Sequence, residues 1–164
     1  GRYIAMRFLV KPLDFPNAFM YGAGHGGVEA MLLCGVTSIN NIASAVMINS
    51  GTMSAQLATL DAEKAADTAA ALSALWTTPS LTFFAGGVER IIAVVLHLSL
   101  SILVFQSIRK KSQKDLLNAY LFHFVIDSLS VLLSAVASVW VVELVTALVT
   151  GGAVLMARYA CMEE

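Results

Sequence analysis

Three short segments of the chain, residues 25–29, 89–97 and 123–127, place ionisable side chains inside otherwise apolar sequence. The candidate site residues that they supply are His25, Glu29, Glu89, Arg90, His97, His123 and Asp127. All three histidines of the protein are among them. An ionisable group inside a membrane costs roughly 2.5–3.5 kcal/mol on insertion scales and marks a functional site by default. These side chains are therefore the starting point for assigning a function.

The spacing of these residues predicts one buried polar layer. His25 and Glu29 are four residues apart, so on a helix they lie on one face about 40° apart, and the pair His123 and Asp127 has the same spacing. Measured from the predicted cytoplasmic ends of the spans, both pairs and His97 share a layer roughly 10–16 Å deep. Glu89 and Arg90 lie about 10 Å further out. A shared depth is what a single site requires.

Two kinds of hydrolytic chemistry suit these side chains. A carboxylate beside an imidazole can activate water as a base, and a second histidine with its carboxylate or arginine can stabilise an oxyanion. Histidine and carboxylate ligands with one open position are also the donor set of catalytic zinc, and the candidate ligands are His25, Glu29, His97 and His123. The HExxH signature of zincin-like proteases is absent. Some of these residues have structural roles as alternatives to catalytic ones. His97 could be a core residue that hydrogen-bonds a neighbouring helix, and Glu89 with Arg90 could be an ion pair that anchors its helix.

The composition indicates an integral membrane protein. The chain has 164 residues, of which 58% are hydrophobic and 13% charged, and its mean hydropathy is +0.78. Soluble domains carry about 25% charged residues. A net charge of −1 offers no electrostatic footprint for nucleic acid. Cys34 and Cys161 are expected to be apolar filler and not a disulfide.

The hydropathy pattern predicts an all-α fold, a polytopic transmembrane helical bundle of about four spans plus an external amphipathic helix. We expect a single membrane domain over residues 1–164, with spans at about 18–39, 81–108, 116–136 and 139–159 and an external segment over 42–79. The glycine run at 22–27 interrupts the first span, and its small-xxx-small spacing allows close helix contact. The external helix is expected over 54–75, and residues 78–80 have the composition of a helix start. Glu143 is expected to reach water near the turn before the fourth span.

The distribution of lysine and arginine predicts the orientation. Four basic residues cluster at 109–114 between the second and third spans, and three precede the first span. By the positive-inside rule both termini and this loop are cytoplasmic, and the acidic external segment lies on the other side.

The run Gly22-Ala23-Gly24-His25-Gly26-Gly27-Val28-Glu29-Ala30, followed by Glu89-Arg90 with His97 and by His123 with Asp127, resembles the signature of the YhfC family of bacterial membrane proteins. That family is itself similar to the glutamic-type intramembrane proteases, which include the CAAX prenyl endopeptidases and bacteriocin-processing enzymes. The prenyl proteases have a doubled glutamate followed by arginine and a third motif ending in asparagine. Here Glu29 stands alone, and the third motif ends in Asp127.

The resemblance implies an intramembrane endopeptidase of the bacterial cytoplasmic membrane. Glu29 would activate water with help from His25, His97 would belong to the second motif, and His123 with Asp127 would shape an oxyanion pocket. YhfC relatives are also called intramembrane metalloproteases, so a divalent metal such as zinc stays an alternative to cofactor-free glutamic chemistry. They usually carry further helices upstream, so the chain is expected to be a fragment. The implied partners are membrane lipid and a membrane-associated peptide or protein substrate.

Two functions of other classes remain alternatives. The same histidines and carboxylates could be ligands or relay groups of a transporter or of a bundle that binds protons or metal ions. They could also fix helix packing in a non-catalytic membrane partner.

Overall fold

A computed structural model describes residues 1–162, and every regular element in this range is helical. The helices are α1 (Arg2–Phe8), α2 (Phe15–Ala30), a π-helical segment (Met31–Gly35), α3 (Val36–Asn49), α4 (Thr52–Leu57), α5 (Ala62–Thr77), α6 (Ser80–Lys110), α7 (Gln113–Ser134) and α8 (Val139–Met162). Four stretches are long and apolar enough to cross a membrane: Phe15–Asn49, Ser80–Lys110, Gln113–Ser134 and Val139–Met162. The predicted all-α polytopic fold is confirmed.

The helix boundaries follow local sequence signals. α6 begins at Ser80, at the predicted helix start, and α7 begins after Ser112, whose side chain accepts a hydrogen bond from the Asp115 backbone N–H. Serine favours this position because its hydroxyl satisfies a free amide of the first turn. The turn between α7 and α8 covers residues 135–138.

Two expectations about local structure are wrong. The external helix predicted over 54–75 is divided into α4 and α5, because Asp61 caps a new helix by accepting a hydrogen bond from the Lys64 backbone N–H. The glycine run at 22–27 does not interrupt its helix, since α2 is continuous from Phe15 to Ala30. The irregularity in this stretch comes later, in the π-helical segment Met31–Gly35.

The chain divides into two compact units, one made of residues 1–30 with the chain from Ala85 onward and the other of residues 31–84. In the second unit, α3, α4 and α5 contain no buried residue. The single membrane domain predicted over residues 1–164 stays a prediction.

α6 is the central helix of the first unit. Its segment from Leu96 to Ser107 is buried except for Leu98 and Ile102. Around it lie buried residues of the four other helices of this unit, among them Met6, Ala18, Ala119, Ile126, Ala153 and Ala157. Most of them are alanines, and small side chains let the backbones of membrane helices approach closely. His97 lies in this buried part of α6, so the core and the predicted site share one helix.

Candidate metal centre

Two glycines bring α2 against α6. A Cβ atom on Gly22 would lie 2.9 Å from the Leu98 Cα, and one on Gly26 would lie 3.1 Å from both the Val94 Cα and the His97 Cβ. Such separations are below the ordinary contact distance of about 3.5–4.0 Å. A Cβ on the neighbouring Gly27 would meet nothing within 4 Å. The predicted close contact is therefore made by Gly22 and Gly26.

One turn beyond Gly26, the carboxylate of Glu29 reaches His97. The Glu29 Oε2 lies 3.0 Å from the His97 Nε2, and the side chain of His97 is 2% exposed against 38% for Glu29. The close helix approach at Gly26 thus positions a half-exposed carboxylate against a buried imidazole. Buried polar side chains in apolar surroundings need such partners, because an unpaired one costs about 1–3 kcal/mol.

All three histidines meet at this point. The ring centroid of His97 lies 5.0 Å from that of His25 on α2 and 5.7 Å from that of His123 on α7. The ligand atoms of His25, Glu29 and His97 lie within 4.8 Å of one another. Two imidazole nitrogens and one carboxylate oxygen are a common protein donor set of catalytic zinc. These three residues therefore fit a divalent metal ion.

Sequence reasoning missed Arg2, which joins the cluster from α1. Its guanidinium donates a hydrogen bond of 2.5 Å to the Nδ1 of His97. Its Nε is buried and has no hydrogen-bond partner within residues 1–162. Burial lowers the pKa of Arg2, while Tyr21 and Glu29 act in the opposite direction. The sequence offered no signal for this contact, because an arginine before the first span only indicates a cytoplasmic end.

The cluster opens on a cavity of about 180 Å³. Its lining residues are Gly1, Arg2, Tyr3, His25, Val104, Ala119, Tyr120 and His123. Tyr3 also lines a second cavity, of about 290 Å³, together with Arg7 and Lys111. His25 and His123 therefore both border the first cavity.

The remaining predicted residues lie outside this cluster. Asp127 is 3.8 Å from His123, beyond a normal hydrogen bond, and its side chain is 65% exposed. Glu89 and Arg90 form an ion pair with each other, two turns from His97 along α6. Glu143 on α8 lies within electrostatic range of that pair. The expectation that Glu143 reaches water is wrong, because α8 packing leaves it 8% exposed and its Oε2 without a hydrogen-bond partner among the described residues.

The fold and the cluster together define a class, a multi-pass helical membrane protein with two histidines and a glutamate converging between its membrane-spanning helices. The chain belongs to the YhfC intramembrane metalloprotease family, whose model matches residues 1–146. It is 38% identical over 124 residues to the "Uncharacterized membrane protein YhfC" of Bacillus subtilis (strain 168). That match covers 75% of this chain and 47% of the relative, so the chain spans about half the length of the curated protein that it matches. No solved structure matches the chain significantly.

Proposed function

We propose that this chain carries the hydrolytic centre of a metal-dependent intramembrane endopeptidase. The observation that supports it best is the convergence of His25, Glu29 and His97, with ligand atoms within 4.8 Å of one another. Membership of a family described as intramembrane metalloproteases points to the same chemistry.

Each residue of the cluster has a role in this proposal. His25, Glu29 and His97 are the residues that would hold the metal. A divalent metal bound there supplies a Lewis acid, and it makes water a nucleophile near neutral pH. His123 lines the cavity beside His25, where it can donate a proton to the leaving amine or a hydrogen bond to a developing oxyanion. Asp127 lies one turn from His123, with its carboxylate 3.8 Å from that ring.

The rival mechanism uses the same residues without metal. Glu29 is then the base that activates water, His25 and His97 orient it, and His123 stabilises the oxyanion. The 3.0 Å contact between Glu29 and His97 also suits this arrangement. The two mechanisms differ in one measurable property, the dependence of hydrolysis on a chelatable metal.

The substrate and location follow from the membrane setting. A peptide or protein segment reaching the inner leaflet is the substrate class that a site in the cytoplasmic half of the bundle would meet. We infer that both termini are cytoplasmic, because basic residues concentrate at the chain start and at 109–114. The similarity to a membrane protein of Bacillus subtilis supports a bacterial cytoplasmic membrane.

The test uses the protein in liposomes with a library of membrane-anchored fluorogenic peptides. We expect bound zinc in near-stoichiometric amount, loss of cleavage on strong chelation and recovery on adding zinc. Glu29→Gln should lower the metal content, and it should lower cleavage by 10²-fold or more, within the range that a positioned acid or base contributes. Glu143→Gln is the matched control, a buried carboxylate outside the cluster, and should keep both.

Three results would contradict the proposal in different ways. Cleavage that persists after metal removal supports the glutamic mechanism. Metal or proton flux without cleavage supports a transporter. Full function after all the cluster side chains are replaced by apolar ones supports a packing role in a non-catalytic partner.

A further inference from the structure

Both ring nitrogens of His97 are occupied in the structure. The Nδ1 receives the hydrogen bond of the Arg2 guanidinium at 2.5 Å, and the Nε2 lies 3.0 Å from the Glu29 Oε2. Arginine only donates hydrogen bonds, so Nδ1 must be the acceptor and carries no proton. The proton of the neutral ring is then on Nε2, where it is donated to Glu29.

This proton placement opposes metal binding at His97. A metal ion needs the lone pair of Nε2, which the proton uses in this tautomer. Histidines that bind metal through one nitrogen normally donate the other N–H to a carboxylate, a carbonyl or water. Here the group facing Nδ1 is a cation that cannot accept a proton, and it would also repel a divalent ion.

We propose that Arg2 is a positioning residue that keeps the His97 ring closed to metal, and that metal enters only when the guanidinium leaves Nδ1. This inference rests on the proposed metal-dependent function. For a metal ion to bind at Nε2, the proton there would pass to water and Nδ1 would take up a proton from water, so the ring would stay neutral with its Nε2 lone pair free.

The surroundings of Arg2 allow such a release. Its side chain lines the cavity of about 180 Å³, so the guanidinium has space to move without displacing the core. Its Nε makes no hydrogen bond within the described residues. Movement of the side chain therefore breaks no hydrogen bond at this nitrogen. The Arg2 guanidinium can therefore move away from the contact, while His97 is fixed in the buried part of α6.

The first measurement is made on the wild-type protein, and one variant serves only to assign the signals. In the metal-free wild-type protein, ¹⁵N chemical shifts of the imidazole rings distinguish the two tautomers, and His97→Asn assigns the His97 signals. We expect His97 to be protonated at Nε2. Protonation at Nδ1 would overturn the inference, whatever the metal affinity.

The second measurement is the affinity for Zn²⁺ alone, by competition with a chelator of known affinity. Arg2→Met removes the donor and the charge but keeps an apolar stem, and it should tighten zinc binding about 10- to 100-fold, because the charge-assisted hydrogen bond no longer has to be broken. Arg7→Met is the matched control on the same helix. Arg7 is exposed, lines the other cavity and is not among the residues lining the one beside His25, so this change should stay within about twofold, as for most exposed charges.

The outcomes separate this inference from the proposed function. If neither wild type nor Arg2→Met binds zinc, the metal-dependent function is wrong, and the tautomer measurement still tests the Arg2 contact. If wild type binds zinc and Arg2→Met binds it no more tightly than Arg7→Met, the role of Arg2 is wrong and the metal site stands. If Arg2→Met does not yield folded protein, the wild-type tautomer decides.

Discussion

Replacing Gly26 by alanine should push α2 and α6 apart at the level of the site. The new Cβ would lie 3.1 Å from the Val94 Cα, a backbone atom that cannot rotate away. Reaching the ordinary contact distance requires a separation of about 0.4–0.9 Å. Since Glu29 is one turn further along α2, its 3.0 Å contact with His97 should open to about 3.4–3.9 Å, which is too long for a hydrogen bond.

The stability change can be isolated with Gly27→Ala as the matched control. Alanine is favoured over glycine in a helix by about 1 kcal/mol, and both variants receive this gain. Only Gly26→Ala also has to overpack the interface, which costs about 1–3 kcal/mol. We therefore expect Gly26→Ala to be less stable than Gly27→Ala by that difference and to bind zinc more weakly.

The assay is denaturant unfolding of both variants in the same detergent, followed by zinc competition. Gly27→Ala should match or exceed the wild type in stability, because a Cβ at that position meets nothing within 4 Å. Equal stability and equal zinc affinity for the two variants would refute the argument that Gly26 sets the distance between the two helices.

Three further predictions concern the core, the orientation and the external segment. Leu100→Ala should destabilise the protein by about 2–5 kcal/mol in the same unfolding assay, because Leu100 is fully buried. Ile91→Ala on the same helix should change the stability little, because Ile91 is exposed. Similar losses of stability for both variants would contradict the central position of α6. With Cys34 and Cys161 replaced by serine, a membrane-impermeant maleimide should label Asp67→Cys from outside intact cells and Lys111→Cys only after permeabilisation, and labelling of both from one side would contradict the predicted orientation. The hydrogen bond from the Lys64 side chain lowers the pKa of Asp61 below its ordinary value of 3.8, so the stabilisation from this cap is complete above that value and is lost as the pH falls through the lower pKa of the folded state. The protection of the amides at the start of α5, relative to their intrinsic exchange rate at each pH, should therefore fall in acid for the wild type but not for Asp61→Asn, and an equal fall in both would exclude Asp61 as the cause.

Local sequence patterns were enough to predict four membrane-spanning helices and the grouping of the histidines with Glu29. Apolar length predicts membrane helices, and the four-residue spacing of His25 and Glu29 places both on the face that meets α6. The Glu29–His97 contact and the proximity of His123 follow from the shared depth of those residues. Their catalytic roles remain proposals.

Long-range packing accounts for what the sequence did not reveal. The contact of Arg2 with His97 joins residues 95 positions apart, and nothing in the local sequence of α1 indicates where that helix packs. The burial of Glu143 likewise depends on neighbouring helices and not on its distance from a turn. Asp127 has the right spacing from His123, yet it is mostly exposed, since helical spacing fixes which face a residue occupies but not how tightly its side chain pairs.

The location of His97 on the most buried helix affects how loss-of-function variants should be interpreted. A substitution there removes a member of the cluster and also disturbs the centre of the folded unit, so reduced activity in a mutational screen would mix misfolding with impaired chemistry. Glu29 lies at the half-exposed rim of the same cluster on α2, where a change perturbs packing far less. Mutational screens of this chain will therefore report on chemistry most directly through Glu29, with yield and unfolding measured in parallel for any change on α6.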